Sequence, residues 1–294
     1  MLNRWDRKKY EAAGYLLPGL LFLFVIFIIP LGYAVGITFF RWTLIRPDLG
    51  IRFVGLKNYI TILSDPFTWQ TLGRTLLFVM AAVFLEMVLG TAVSLVLNLG
   101  YRGHNLVQSV FLIPFMMAPI VVGFAWRFLL NNSFGPVPEL FRSIGLGSVV
   151  DTPLLANPKT VLFVLILVDL WQFTPFVVLV TLAGMKSLPA EPFEAAVVDG
   201  ATAWQRFWRI TVPLLRPSIL VAVVIRTLTA FRIFDTVSIM TGGGPGSSSE
   251  VLSYFGYRMA FQSYEMGLAG TIGVLTMAVS LIFTIFYIRQ VGVE

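Results

Sequence analysis

Six stretches of the chain carry little but apolar side chains over roughly 20 residues each, the length a helix needs to cross a bilayer core. They run from Tyr15 to Phe40, Leu72 to Leu97, Leu106 to Leu130, Thr160 to Gly184, Pro217 to Met240 and Met266 to Ile288. The first and last hold no charged residue inside the apolar run. The second holds Arg74 at its edge and Glu86 within, the fourth Asp169, and the fifth Arg226, Arg232 and Asp235. The pattern predicts an all-α, polytopic integral membrane protein. The first stretch is too long for the core of a cleaved signal and no small-x-small site follows it, so it reads as an uncleaved anchor.

Polar segments between the spans are short. A tail over residues 1–14 precedes a single six-helix transmembrane domain over 15–294. Residues 131–159 contain four prolines and read as an outer loop with a short surface helix. The longest inner segment, 185–217, alternates apolar and polar positions at helical spacing: Phe193 with Val197, and Trp204 with Trp208. Two short amphipathic helices are expected there, separated at Gly200. Pro213 is expected to end the second, and Pro217 to open the next span.

Composition sharpens this picture. Only 12% of the 294 residues are charged, against about 25% in soluble domains. The formal charge of +6 reflects basic residues flanking spans rather than nucleic-acid binding. Arg4, Arg7, Lys8 and Lys9 precede the first span. Placing them inside puts ten basic residues in inner segments against seven in outer ones, which orients both termini to the cytoplasm. Cysteine is absent and His104 is the only histidine, so no metal site is expected.

The inner segment reads Glu194-Ala195-Ala196-Val197-Val198-Asp199-Gly200-Ala201, then Ile210 and Pro213 through Pro217. It resembles the binding-protein-dependent importer permeases, whose cytoplasmic signature is E-A-A-x-x-x-G followed by I-x-x-P; every position matches. The run Arg226 to Asp235 and the outer Thr241-Gly242-Gly243-Gly244-Pro245 are similar to the branch handling trehalose, maltose and related glycosides. The resemblance implies the type I permease fold of an ATP-binding-cassette importer in a bacterial inner membrane. It further implies a second permease subunit, two ATPase subunits and an extracytoplasmic binding protein as partners, with a sugar as cargo. A polyol or an anionic, glycerol-phosphate-like solute is the alternative cargo.

Roles follow from the same resemblance. Glu194, Ala195, Ala196, Asp199 and Gly200 would form the surface that couples to the ATPase. Gly242, Gly243, Gly244 and Pro245 would touch the binding protein. No G-x-x-x-x-G-K-[ST] loop occurs, so the chain is not expected to hold ATP or act as an enzyme; ATP and Mg would sit on the partner ATPases, and no cofactor on this chain.

Helical spacing defines the solute path. Asp169, Gln172, Phe173 and Phe176 share one face of the fourth span, mixing a carboxylate, an amide and two rings. Arg226, Thr229, Ala230 and Ile233 share a face of the fifth. Both stretches align with lining segments of the maltose-type family. Two readings stay open for Asp169 and Arg226: contact with solute, or pairing with each other. Arg232 and Asp235, three apart, are expected to form a structural ion pair, and Glu86 to be a buried carboxylate of unassigned partner. A secondary transporter would leave the cytoplasmic signature without a task, and no repeated halves are evident. A membrane enzyme lacks H-E-x-x-H and G-x-S-x-G.

Overall fold

The structure, a computed structural model, describes residues 15–291. The basic tail with Arg4, Arg7, Lys8 and Lys9 lies outside the described residues. In chain order the elements are α1 (Tyr15–Ile37), β1 (Phe40–Arg41), β2 (Arg52–Phe53), α2 (Lys57–Ser64) and α3 (Pro66–Asn98). Then follow α4 (His104–Met116), α5 (Pro119–Leu129), α6 (Pro136–Ser143), α7 (Val161–Lys186) and α8 (Glu191–Val198). The remainder is α9 (Ala203–Ala230), α10 (Asp235–Met240), α11 (Leu252–Phe261) and α12 (Met266–Val291). The protein is an all-α polytopic membrane protein, with β1 and β2 forming a small antiparallel hairpin.

Helices α1, α3, α7, α9 and α12 are each long and apolar enough to span a membrane, and α4 with α5 makes an apolar pair, bent by 96°, that counts as a sixth when taken as one span. That bend corrects the expectation of a straight third span. Ala118 precedes Pro119 and is extended, with ψ 135°, because the proline ring disfavours helical geometry in the residue before it. Met117 is extended as well.

The fifth span also breaks. Helix α9 ends at Ala230 and α10 begins at Asp235, so the single helix expected over 217–240 is two. Neither proline nor glycine lies at the break. Phe231 and Ile233 are instead buried at 1% and 8% exposure, and the Ser253 hydroxyl donates to the Ile233 carbonyl that the break sets free. Core burial on both sides of an irregular turn outweighs one turn of helix here.

Two prolines expected to terminate or open helices do neither. The second cytoplasmic helix does not stop at Pro213, and Pro217 does not start a new one: residues 203–230 are one helical run of 28 residues. A wide turn over Phe207–Thr211 precedes Pro213 by two residues, just as one over Phe24–Ile28 precedes Pro30 in α1. Proline has no N–H and its ring crowds the carbonyl four residues back. Widening the preceding turn to i→i+5 bonds lets the helix continue past it.

The chain forms two compact units. Among the described residues, one contains 15–66 and 256–275, the other 67–255 and 276–291. In the first, Asn58 Nδ2 donates to the carbonyls of Thr38 (2.8 Å) and Phe40 (2.9 Å). Gly267 sits so close that a Cβ there would lie 2.2 Å from the Phe40 carbonyl oxygen. Gly267 and Gly270 thus permit close packing, while Gly273 has no neighbour within 4 Å. In the second unit α7 is the central element, with Val161, Leu165, Val168 and Val177 at 1% exposure or less. Gly90 of α3 lets that helix approach Val177, and Gly184 admits Ser218 of α9.

Candidate functional site

The charged residues of the spans converge. Arg226 on α9 points its guanidinium at Glu86 on α3, with Nε 2.5 Å from Oε2 and Nη2 2.8 Å from Oε1. Nη2 also donates to Asp169 Oδ2 on α7 at 2.6 Å, and Nη1 to the Thr229 hydroxyl at 2.8 Å. The Phe173 ring caps the group, its centroid 4.1 Å from Cζ. Exposure is 1% for Arg226, 0% for Glu86 and 4% for Asp169. An isolated charge at such depth is costly in lipid. The bidentate fork to one carboxylate and the single bond to the other make this arrangement tenable, and tie three spans together.

Of the two readings for Asp169 and Arg226, pairing is what the structure contains, with Glu86 as the third member. Arg226 has every nitrogen committed, so it does not present a free cation to an anionic solute. Glu86 lies 140 positions away from Arg226 in sequence, and no local spacing signals their contact.

Gln172 is 1% exposed and donates from Nε2 to the Met117 carbonyl at 3.2 Å, at the bend between α4 and α5. The Phe173 and Phe176 rings both pack on Phe115, with centroids 6.2 and 5.5 Å away. The predicted face of the fourth span therefore exists, but Gln172 is spent on holding the bent third span.

A cavity of about 260 Å³ opens beside the triad. Asp169, Phe173, Thr229 and Ile233 of the predicted solute path line it; Ala230 is buried at 1%. Arg232, Asp235, Phe234, Thr236 and Pro119 complete the wall. The expected Arg232–Asp235 ion pair is not formed: among the described residues no salt bridge joins them, and both are exposed. The three-residue spacing that pairs side chains on a helix is lost because the helix breaks between them. Their placement in the cavity wall follows from that break, which the pattern of the sequence did not reveal.

The cytoplasmic signature forms an elbow. Helix α8 ends at Val198, Gly200 takes φ +74°, a region open to glycine at little cost, and Thr202 caps α9 with a reciprocal capping box to Gln205. Glu194, Ala195, Asp199 and Gly200 are exposed, whereas Ala196 is buried at 8%. Val198 at 87% and Trp204 at 70% leave an apolar surface around the bend. Distant from it in sequence, Gly242, Gly243 and Gly246 all have positive φ. Ser249 Oγ closes their loop by donating to the Gly244 carbonyl (2.6 Å), and lies 2.8 Å from Thr241 Oγ1. A Cβ on Gly243 would lie 2.9 Å from the Tyr254 ring. Gly242 is exposed, and Gly243 is buried against that ring.

Comparison with known proteins gives these features a common setting. Residues 12–291 match the family model described as "Binding-protein-dependent transport system inner membrane component". The chain is 34% identical to the trehalose/maltose transport system permease protein MalF of Thermococcus litoralis, over 98% of this chain and 97% of that one. It is 32% identical to the trehalose transport system permease protein SugA of Mycobacterium tuberculosis, covering 94% and 86%. Its fold is similar to that of a chain in a bacterial ABC transporter involved in import of the acidic polysaccharide alginate, with a TM-score of 0.81 at 22% identity over 98% and 97% of the two chains. The chain belongs to the family of inner-membrane permease components of binding-protein-dependent transport systems.

Proposed function

We propose that this chain is one permease subunit of an ATP-driven importer for a sugar, a disaccharide or related glycoside handed over by an extracytoplasmic binding protein. A second permease and two ATPase subunits complete the transporter in this reading, and both termini face the cytoplasm. Hydrolysis belongs to the ATPases, with ATP and Mg held there. Glu194, Ala195, Asp199 and Gly200 engage them, while the Gly242–Pro245 loop meets the binding protein on the other side.

The observation that carries this reading is the continuity of α9. It starts three residues beyond the Gly200 elbow and runs, without interruption, to the cavity beside Arg226 and Thr229. Its 28 residues correspond to roughly 42 Å at 1.5 Å per residue. Displacement of the elbow by a closing ATPase is thereby passed along a stiff rod to the side chains around the solute cavity. Alternating access then amounts to α9 shifting against α3 and α7, to which it is tied by the Arg226 cluster and, on α7, by the close packing of Gly184 on Ser218.

An uncharged glycoside suits the cavity better than an anionic one. Arg226 is neutralised, and the remaining ionisable wall groups, Asp169, Arg232 and Asp235, include more carboxylates than cations. Hydroxyls of a sugar find both donors and acceptors there, and the Phe173 ring offers a surface to the apolar face of a pyranose.

The test is ATP-dependent uptake in proteoliposomes containing the assembled transporter and its binding protein. Gly200→Pro is expected to abolish uptake while membrane insertion persists, because proline cannot adopt φ +74°. Wild-type uptake in that variant, or uptake driven by an ion gradient without ATP, overturns the reading.

A further inference from the structure

The half-helices that follow the two breaks are packed on each other. Helix α5 begins at Pro119, after the bend at Met117–Ala118, and α10 begins at Asp235, after the break over residues 231–234. Both first residues stand in the wall of one cavity, with Thr236 beside them. One turn further along α5, a Cβ on Gly123 would lie 3.1 Å from Ile239 Cβ and 3.7 Å from Thr236 Cα, so the two helices approach closely. At the far end Arg127 Nη1 donates to the Ile239 carbonyl at 2.8 Å. The half-helices thus run side by side in one direction, from the cavity to a shared guanidinium.

Helix α10 cannot hold itself. Its six residues are well short of the roughly 12 that an isolated helix needs in water, and irregular backbone flanks it on both sides. Burial of Val237 and Met240 fixes one side of it. Along its axis the restraint is Arg127, whose cation meets a carbonyl of the C-terminal turn, where unpaired C=O groups gather partial negative charge. Arg127 also lies in the last turn of α5, so one charge serves both helix ends. A displaced α10 would carry Asp235 and Thr236 out of the cavity wall. Thr236 is 5% exposed, and among the described residues its hydroxyl has no hydrogen-bond partner, which leaves it for a solute hydroxyl.

We propose that Arg127 is a positioning residue for transport: its bond to the Ile239 carbonyl sets α10 against α5 and so holds Asp235 and Thr236 in place for the solute. Arg127 stands about two turns of helix beyond Pro119 and acts only through α10. Its role in transport rests on the reading of that cavity as the solute path.

Two readouts separate the clamp from the path. The chain has no cysteine, so Thr236→Cys gives it a single thiol. Alkylation of that thiol by N-ethylmaleimide in the assembled, reconstituted transporter is followed by peptide mass spectrometry. R127M is expected to raise the rate about tenfold, as for loss of one hydrogen bond from a charged donor, and R127K to leave it within about twofold because the cation remains at the helix ends. G123A, which presses on Ile239 without touching the guanidinium, is expected to raise it as well. In ATP-driven sugar uptake R127M should lower the maximal rate by roughly 2- to 10-fold, the effect of one ordinary hydrogen bond lost at the solute. The half-saturating concentration of loaded binding protein should not change. R127M should add nothing once Asp235 and Thr236 are replaced in D235N/T236A, since residues that act through one another are not additive. An unchanged T236C rate in both R127M and G123A overturns the proposal, as does an equal effect of R127M on uptake with and without D235N/T236A. Wild-type uptake by D235N/T236A removes the solute path on which the role rests, whereas a raised T236C rate in R127M still upholds the clamp itself.

Discussion

Arg226 grips Glu86 through two nearly parallel hydrogen bonds, 2.5 and 2.8 Å long, that join α9 to α3 across 140 residues of sequence. Asp169 adds a bond from α7 to the same guanidinium. A cation shared by two carboxylates tolerates loss of one partner poorly and loss of the cation worse.

Arg226→Met should therefore destabilise the folded transporter by about 3–5 kcal/mol, because it leaves buried carboxylates unpaired. The triple variant E86Q/D169N/R226M should be milder, since no uncompensated charge remains. Thermal unfolding of the purified transporter measures both; a triple variant at least as damaged as R226M would refute the ionic account.

Gln172 tests the division between scaffold and solute path. Gln172→Leu removes the donor to the Met117 carbonyl at the bend of the third span. A loss of about 1–3 kcal/mol in stability is expected from the stranded acceptor. If stability is unchanged while uptake fails, the amide serves the solute instead of the bend.

Gly184 tests the packing of α7 on α9. A Cβ there would lie 2.3 Å from Ser218 Oγ and 2.7 Å from Ser218 Cβ. Gly184→Ala should cost about 1–3 kcal/mol through overpacking, and the double variant G184A/S218G should recover most of it. Gly73→Ala, where nothing lies within 4 Å, is the control and should be neutral or slightly stabilising. Equal effects at the two glycines would contradict the close approach.

Arg232 and Asp235 separate function from stability most cleanly. Both are exposed, so Arg232→Gln and Asp235→Asn should change stability by no more than about 0.5 kcal/mol. Uptake of a binding-protein-delivered sugar should nevertheless fall, by roughly 2- to 10-fold if each contributes one ordinary hydrogen bond. Steady-state uptake against concentration of loaded binding protein reads this directly, and unaltered kinetics in both variants would remove these residues from the solute path.

Much of the molecule was legible before any fold was known. Length and apolarity mark the five spanning helices and the bent pair, and the spacing Asp169, Gln172, Phe173, Phe176 correctly assigns one face of α7. The Gly200 bend follows from its local sequence. The Ala118–Pro119 step carried a readable signal for the bent third span, since proline biases the residue before it toward extended geometry. The break over residues 231–234 carried none: it has no proline or glycine, and its cause is burial of Phe231 and Ile233.

Sequence by itself determined the solvent of this protein, the helical character of its spans and the family signature at the elbow, because these depend on composition and on spacing within a few residues. Tertiary structure alone decided that Glu86 completes the pair of Arg226 and Asp169, that Arg232 and Asp235 part to line a cavity, and that α9 runs unbroken past Pro213. The first two are set by contacts between segments far apart in the chain. The last arises because a widened turn absorbs the missing N–H of a proline, a compensation that residue preferences taken one at a time do not register.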